Sequence, residues 1–234
     1  MPYLIAQTGY FAINFHPRPC VQTPCGFGWR VYHGDMPITH LLYLHGFRSS
    51  PQSAKARKMA ALMAERHPAV RWWCPQLPPS PQQSMALLEK GLSGWPAASM
   101  AVIGSSLGGF YATAVAERQG CKAVLLNPAV DPARDLANHI GEQTTWQNPE
   151  EHFFFEARFV DELRALQAGP LKTPQNYLAI IAKGDELLDW REMTARYAGA
   201  HLCLLEGGNH ALSDFDAHLP LILEFLDFHG PGLK

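Results

Sequence analysis

A serine hydroxyl attacks carbonyl carbon only when a base takes its proton and donors receive the charge that develops. One serine in this chain stands in a setting that fits. Gly104-Ser105-Ser106-Leu107-Gly108 is a G-x-S-x-G match. It follows the apolar run Met100-Ala101-Val102-Ile103 and precedes a helix expected over about residues 107–119. Strand before and helix after is the context of a nucleophile elbow. The serine sits in a sharp turn, so its neighbours two residues away come close together. Only small residues fit there, and Gly104 and Gly108 supply them. The turn lifts the Ser106 hydroxyl off the sheet and aims a helix N-terminus at it, where negative charge is stabilised. Ser105 lies off the motif's centre and is the weaker candidate.

The base and the acid must reach the same sheet edge. Eleven histidines are present, and position separates them. His210 ends Glu206-Gly207-Gly208-Asn209-His210, a glycine-rich loop between the last strand and the last helix. In folds built around such an elbow, the histidine follows the acid and comes last. His201 starts the last strand, at the wrong end of a parallel sheet. His218 falls within the last helix, on its expected surface. The acid should follow an earlier strand. Asp185, in Gly184-Asp185-Glu186-Leu187-Leu188-Asp189, is nearest a strand end. Asp189 reads as a helix cap, and Asp131 follows another strand; both stay open as alternatives for the acid. The oxyanion needs two backbone N–H groups. Leu107 supplies one, and Phe47, in His45-Gly46-Phe47-Arg48 after the first strand, supplies the other. His45 reads as a support for that loop rather than as a base or metal ligand. No H-E-x-x-H, P-loop or G-x-G-x-x-G motif occurs, so neither a metal nor a cofactor is expected.

These residues need a scaffold that brings strand ends together. Short apolar runs at residues 41–44, 70–74, 100–103, 123–126, 177–182 and 202–205 read as strands. Helices are expected from the Ser49-Ser50-Pro51 start to about residue 67, then over about 82–92, 107–119 and 216–227. Strands alternating with helices imply parallel pairing through right-handed crossovers. The expected fold class is therefore α/β, with a mainly parallel sheet of about six strands flanked by helices. Residues 129–174 are too long for an ordinary loop and carry Trp146, Phe153, Phe154, Phe155 and Phe159, with a helix near 157–167. They read as a cap insert over Ser106, with some aromatics facing the pocket.

Composition bounds what else the chain can be. Apolar residues make up 47% and charged residues 17%, which suits one globular domain with a substantial core. The net charge of -2, without any Lys/Arg run, argues against a nucleic-acid surface. No apolar stretch is long enough to span a bilayer, and no basic residue precedes Arg18 as in a secretory signal. The five cysteines have no framework spacing and read as reduced thiols. Cys20 and Cys25 are close together, but two ligands do not make a zinc site. A cytoplasmic location is the expectation.

From residue 36 to about 228 the chain resembles the small bacterial YqiA/YcfP-type esterase-like α/β hydrolases. The resemblance rests on Leu42-Tyr43-Leu44-His45-Gly46-Phe47 with Ser49-Ser50-Pro51, and on Ile103-Gly104-Ser105-Ser106-Leu107-Gly108-Gly109-Phe110. Leu126-Asn127-Pro128-Ala129-Val130, the Gly184 to Asp189 segment and Gly207-Gly208-Asn209-His210 complete it. It implies an α/β-hydrolase fold and hydrolysis of short acyl esters or thioesters by a Ser106, His210, Asp185 triad. An acyltransferase on the same triad, or a hydrolase-fold protein that binds ligand without reaction, are the other readings. The expected partner is a small acyl ester or thioester, with no nucleic acid and no membrane. The sequence does not bear on oligomeric state. Such proteins open close to the first strand, whereas 35 residues precede Met36 here. Residues 1–35 lack a clean period and hold Pro17, Pro19 and Pro24, so they are expected to lie outside a catalytic domain spanning 36–234. A hairpin packed beside the sheet is the alternative for them.

Overall fold

A strand that is apolar at every position has two faces to cover, because successive side chains point to opposite sides. The runs at 41–44, 100–103, 123–126 and 177–182 have that character, and each is a strand buried on both faces in the computed structural model, which describes residues 36–228. The expectations for residues 1–35 lie outside the described residues.

In chain order the elements begin with β1 (His40–Leu44), α1 (Ala54–Arg66), β2 (Arg71–Trp73), α2 (Pro81–Gly91), β3 (Met100–Ser105), α3 (Leu107–Gln119) and β4 (Lys122–Leu126). The insert follows, with α4 (Pro132–Asp135), β5 (Gly141–Thr144), β6 (His152–Phe155) and α5 (Ala157–Leu166). Then come β7 (Tyr177–Ala182), α6 (Trp190–Arg196), β8 (His201–Leu205) and α7 (Leu219–Phe225).

Six strands form one sheet in the order β2-β1-β3-β4-β7-β8, and every pairing in it is parallel. The chain steps outward from β1 to β2, then returns to place β3 on the other side of β1. That reversal makes a switch point between β1 and β3, where the loops leaving the two strands diverge and open a crevice. The register sets Leu44 of β1 opposite Gly104 of β3, so both strands end level with that crevice.

Alternation sorts the core into two layers. Leu41, Tyr43, Ala101 and Ile103 face α1 and α7 through Ala56, Met59, Met63 and Ile222. Leu42, Leu44 and Val102 face the layer of α2, α3, α5 and α6 through Leu88, Phe110, Phe159 and Met193. Leu41, Leu42, Tyr43 and Leu44 are all 0% exposed. Full burial of such side chains contributes roughly 1.5–3 kcal/mol each. The central helix α3 is buried from Leu107 through Ala116, so it is apolar around most of its circumference rather than along one stripe.

Three expectations need revision. Cys203 is disulfide-bonded, so the five cysteines are not all reduced thiols. The insert contains an antiparallel hairpin, β5 with β6, that apolar periodicity does not reveal. Gly141-Glu142-Gln143-Thr144 is polar and reads as loop on its own; it becomes a strand by pairing with His152-Phe153-Phe154-Phe155. The last helix is shorter than residues 216–227. Phe215–His218 is a 3-10 turn and the α-helix starts at Leu219. Pro220 suits the first turn of a helix but not its interior. His218 is accordingly not a surface residue of that helix but is buried at 8% exposure in the 3-10 turn.

Candidate active site

The turn from β3 into α3 holds Ser106 at φ 56° and ψ -123°. A side chain at positive φ is strained by about 1–3 kcal/mol and persists only when its surroundings fix it. Here the backbone is fixed from three directions. The Ser106 N–H donates to the Leu126 carbonyl at 3.0 Å, and the Ser106 carbonyl accepts from Gly109 at 2.8 Å and Ala129 at 3.0 Å. Gly104 is required by close approach, since a Cβ there would stand 2.2 Å from the Gly108 carbonyl oxygen. Gly46, from the loop after β1, also comes close, though less so: its Cβ would stand 3.2 Å from the Ser106 Cβ. The loops after β1 and β3 are thus pressed together across the switch point.

His210 reaches this serine from the loop after β8. Its Nε2 lies 2.9 Å from Ser106 Oγ, and its Nδ1 lies 2.8 Å from Asp185 Oδ2. An ionised carboxylate only accepts, so Nδ1 carries the proton and Nε2 is left to accept the serine O–H. The Asp185 side chain is 0% exposed. Its other oxygen accepts the Leu187 and Leu188 N–H groups, both at 2.8 Å, which orients the carboxylate before the imidazole arrives. The alternatives for the acid lie elsewhere. Asp131 caps α4 by accepting from the Arg134 N–H at 3.2 Å, and Asp189 caps α6 by accepting from the Arg191 N–H at 2.9 Å.

Three residues to which the motifs assign no role hold the His210 loop. Asn127, at the end of β4, is fully buried with φ 42°. Its Nδ2 donates to the Asn209 carbonyl at 3.0 Å and the His210 carbonyl at 3.2 Å, while its Oδ1 accepts the Ala182 N–H at 2.8 Å. One side chain therefore ties the ends of β4 and β7 to the histidine loop. Glu186 accepts the His210 N–H at 2.9 Å. Lys55 of α1 donates to the Ala211 carbonyl, and burial pushes its ammonium down to about 8. A polar residue directly after an apolar strand is the signal that marks Asn127.

The Leu107 and Phe47 N–H groups have no hydrogen-bond partner among the described residues. For Leu107 this follows from its place in the first turn of α3, where no intrahelical acceptor exists. The Phe47 ring packs edge-on against Phe153 and Phe155 of the hairpin, at 6.0 Å and 5.3 Å between centroids. His45 supports the same loop: its Nε2 accepts the Leu77 N–H at 3.2 Å, and its Nδ1 lies 3.0 Å from the Gly46 carbonyl. That pattern needs the neutral ring, and burial lowers the His45 pKa in agreement. Beside these groups opens a cleft of about 330 Å³, walled by Phe47, Leu77, Leu107, Tyr111 and Phe153, with Arg48 and Glu151 at polar positions.

Other nucleophiles and ligands are placed differently. Burial pushes the Cys74 and Cys121 thiols up to about 12, so neither supplies a thiolate at neutral pH. Among the described residues, no group of three or more His, Cys, Asp or Glu side chains is gathered to ligate a metal ion. Among the same residues, no helix is long and apolar enough to cross a membrane.

Comparison with known proteins agrees with this architecture. The mouse α/β-hydrolase domain-containing protein 10 superposes with a TM-score of 0.63 at 14% identity, over 81% of this chain and 90% of that one. A structure from the metagenome-derived lipolytic enzymes LipS and LipT superposes with a TM-score of 0.58 at 17% identity, over 82% of this chain and 96% of that one. At such identities the likeness is one of fold, and the fold is that of the α/β hydrolases. In sequence, the UPF0227 protein of Shewanella sediminis (strain HAW-EB3) is 23% identical over 184 residues, covering 78% of this chain and 96% of that protein. The family model described as uncharacterised protein family UPF0227 matches residues 40–227, and the chain belongs to that family.

Proposed function

We propose that the chain is a serine hydrolase of carboxylic esters or thioesters with short acyl groups. The observation that carries this reading is the unbroken relay from Ser106 Oγ through His210 to Asp185, at 2.9 Å and 2.8 Å, with two open N–H donors beside it. His210 Nε2 takes the Ser106 proton as Oγ attacks the acyl carbon, and Asp185 stabilises the imidazolium that forms. The tetrahedral oxyanion is held by the Phe47 and Leu107 N–H groups and by the N-terminus of α3. His210 then hands its proton to the departing alcohol or thiol, leaving acyl-Ser106. Water, deprotonated by the same imidazole, releases the acid. Residues 129–174 act as the cap: Thr145, Glu151 and Phe153 from the insert share the cleft wall with Phe47 and Leu107. The lipolytic activity named for LipS and LipT, on the same fold, is in keeping with acyl ester chemistry.

The test combines a fluorophosphonate label with a panel of acyl esters and acyl thioesters. Labelling at Ser106, together with acid release from panel members, is the expected result. Absence of labelling in folded protein would favour a binder without the reaction. Transfer to an added alcohol in preference to water would identify an acyltransferase.

A further inference from the structure

A backbone N–H stabilises an oxyanion only if the turn that carries it is held before the charge develops. The Leu107 N–H is fixed by helix α3. The Phe47 N–H lies in a loop, and the residue after it, Arg48, has φ 58°. A long side chain in that left-handed region is strained and needs outside support. The support comes from the β5–β6 hairpin. Arg48 Nε donates to the Thr144 carbonyl at 2.7 Å, and Arg48 Nη2 donates to Thr144 Oγ1 at 3.0 Å. The Trp146 N–H donates back to the Arg48 carbonyl at 2.7 Å. The guanidinium lies 4.2 Å from the centroid of the Trp146 ring. Both acceptors of the fork belong to one residue, a geometry that a lysine ammonium cannot reproduce.

We propose that Arg48 is a positioning residue, whose guanidinium clamps the Gly46-Phe47-Arg48 turn to the hairpin and so keeps the Phe47 N–H aimed at the oxyanion. This rests on the reading of Phe47 as an oxyanion donor given above. The clamp also ties catalysis to the cleft. Thr145, Glu151 and Phe153, which wall it, belong to the same hairpin and its connecting loop. Arg48 touches no reacting atom; it acts through the turn.

The test is Arg48→Lys in the full chain, which keeps the charge and loses the fork. On a nitrophenyl acetate-type ester, kcat is expected to fall on the order of ten- to a hundredfold with KM little changed. Affinity for a trifluoromethyl ketone, whose adduct with serine bears an oxyanion, should fall by the same factor as kcat/KM. The midpoint of the pH profile should stay in place, because Ser106, His210 and Asp185 are untouched. Thr144→Val removes one of the two acceptors and should shift both quantities the same way by a smaller factor. Unchanged kcat and inhibitor affinity in Arg48→Lys, or a loss confined to KM, overturns the clamp while leaving the triad reading intact. If Arg48→Lys does not fold, Thr144→Val decides alone by the same criteria. Full activity in Ser106→Ala overturns the reading of the site and the clamp with it.

Discussion

Removing Ser106 severs one of the relay's two hydrogen bonds and removing His210 severs both, and turnover of an activated ester should drop on the order of 10⁴-fold or more. Asp185→Asn should cost a similar factor, because the amide no longer fixes the imidazole with its proton on Nδ1. Asp131→Asn and Asp189→Asn are the controls. Each acid caps a short helix, Asn caps about as well as Asp, and both variants should keep activity and melting temperature. Kinetics on the three variants side by side checks this, and an active Asp185→Asn would remove the proposed acid. Asn127→Ala is a different kind of loss. It leaves the His210 carbonyl without its donor, the Asn209 carbonyl with the Leu212 N–H alone, and the Ala182 N–H without its acceptor. A buried polar group left unpaired costs about 1–3 kcal/mol, so urea unfolding should report that scale of destabilisation together with a reduced kcat. Ser106, His210 and Asp185 were legible in the sequence because each follows a recognisable strand with small or apolar punctuation around it. Asn127 was not, since its role consists of contacts with residues 55 to 83 positions away.

At the scale of elements, the elbow depends on α3 lying almost against the sheet. A Cβ at Gly108 would stand 2.0 Å from the Leu44 carbonyl oxygen and 2.7 Å from the His45 carbonyl oxygen. Both obstacles are backbone, so neither can rotate away. Gly108→Ala must therefore push α3 off β1, which is overpacking of a kind that costs typically 1–3 kcal/mol or more. Since α3 carries the Leu107 N–H and fixes the turn at Ser106, activity should fall further than stability does. Denaturant unfolding alongside ester turnover tests it; wild-type values of both would show that the elbow has slack. The strand–helix alternation around this turn was readable because buried parallel strands are short, apolar throughout and bounded by turns. The β5–β6 hairpin was not readable, because Gly141 to Thr144 carries no apolar period and is a strand only by virtue of its partner. Its importance to the site, through Phe47 and Arg48, was hidden for the same reason.

At the scale of the molecule, alternation implied a parallel sheet, yet not the order in which six strands lie. The site depends on that order: only by placing β3 beside β1 does the chain bring Gly46 against Ser106. His45 stands at this junction, and its protonation state links the site to the stability of the whole fold. Its pKa is lowered, chiefly by burial, with the hydrogen bond to the Gly46 carbonyl working the other way. His201 is lowered too, again chiefly by burial, while His40 and His67 are lowered at more exposed positions where solvent screens the effect. Below the ordinary histidine value of about 6.5 the unfolded chain binds a proton at each of these rings, whereas the folded chain resists it. Stability from these groups is thus complete above pH of about 6.5 and declines as pH falls toward the lowered folded values. Glu156 and Glu192 are held below their ordinary value by Arg158 and Arg134, and their contribution fades only in more acidic solution. The melting temperature should therefore be flat near neutrality and fall as pH drops below about 6.5. His45→Gln, whose side-chain carbonyl can still accept the Leu77 N–H, should lessen that fall because it removes the most deeply buried of these titrating rings. Thermal unfolding of both proteins across this range decides the matter: parallel curves would mean that His45 does not govern the acid limb.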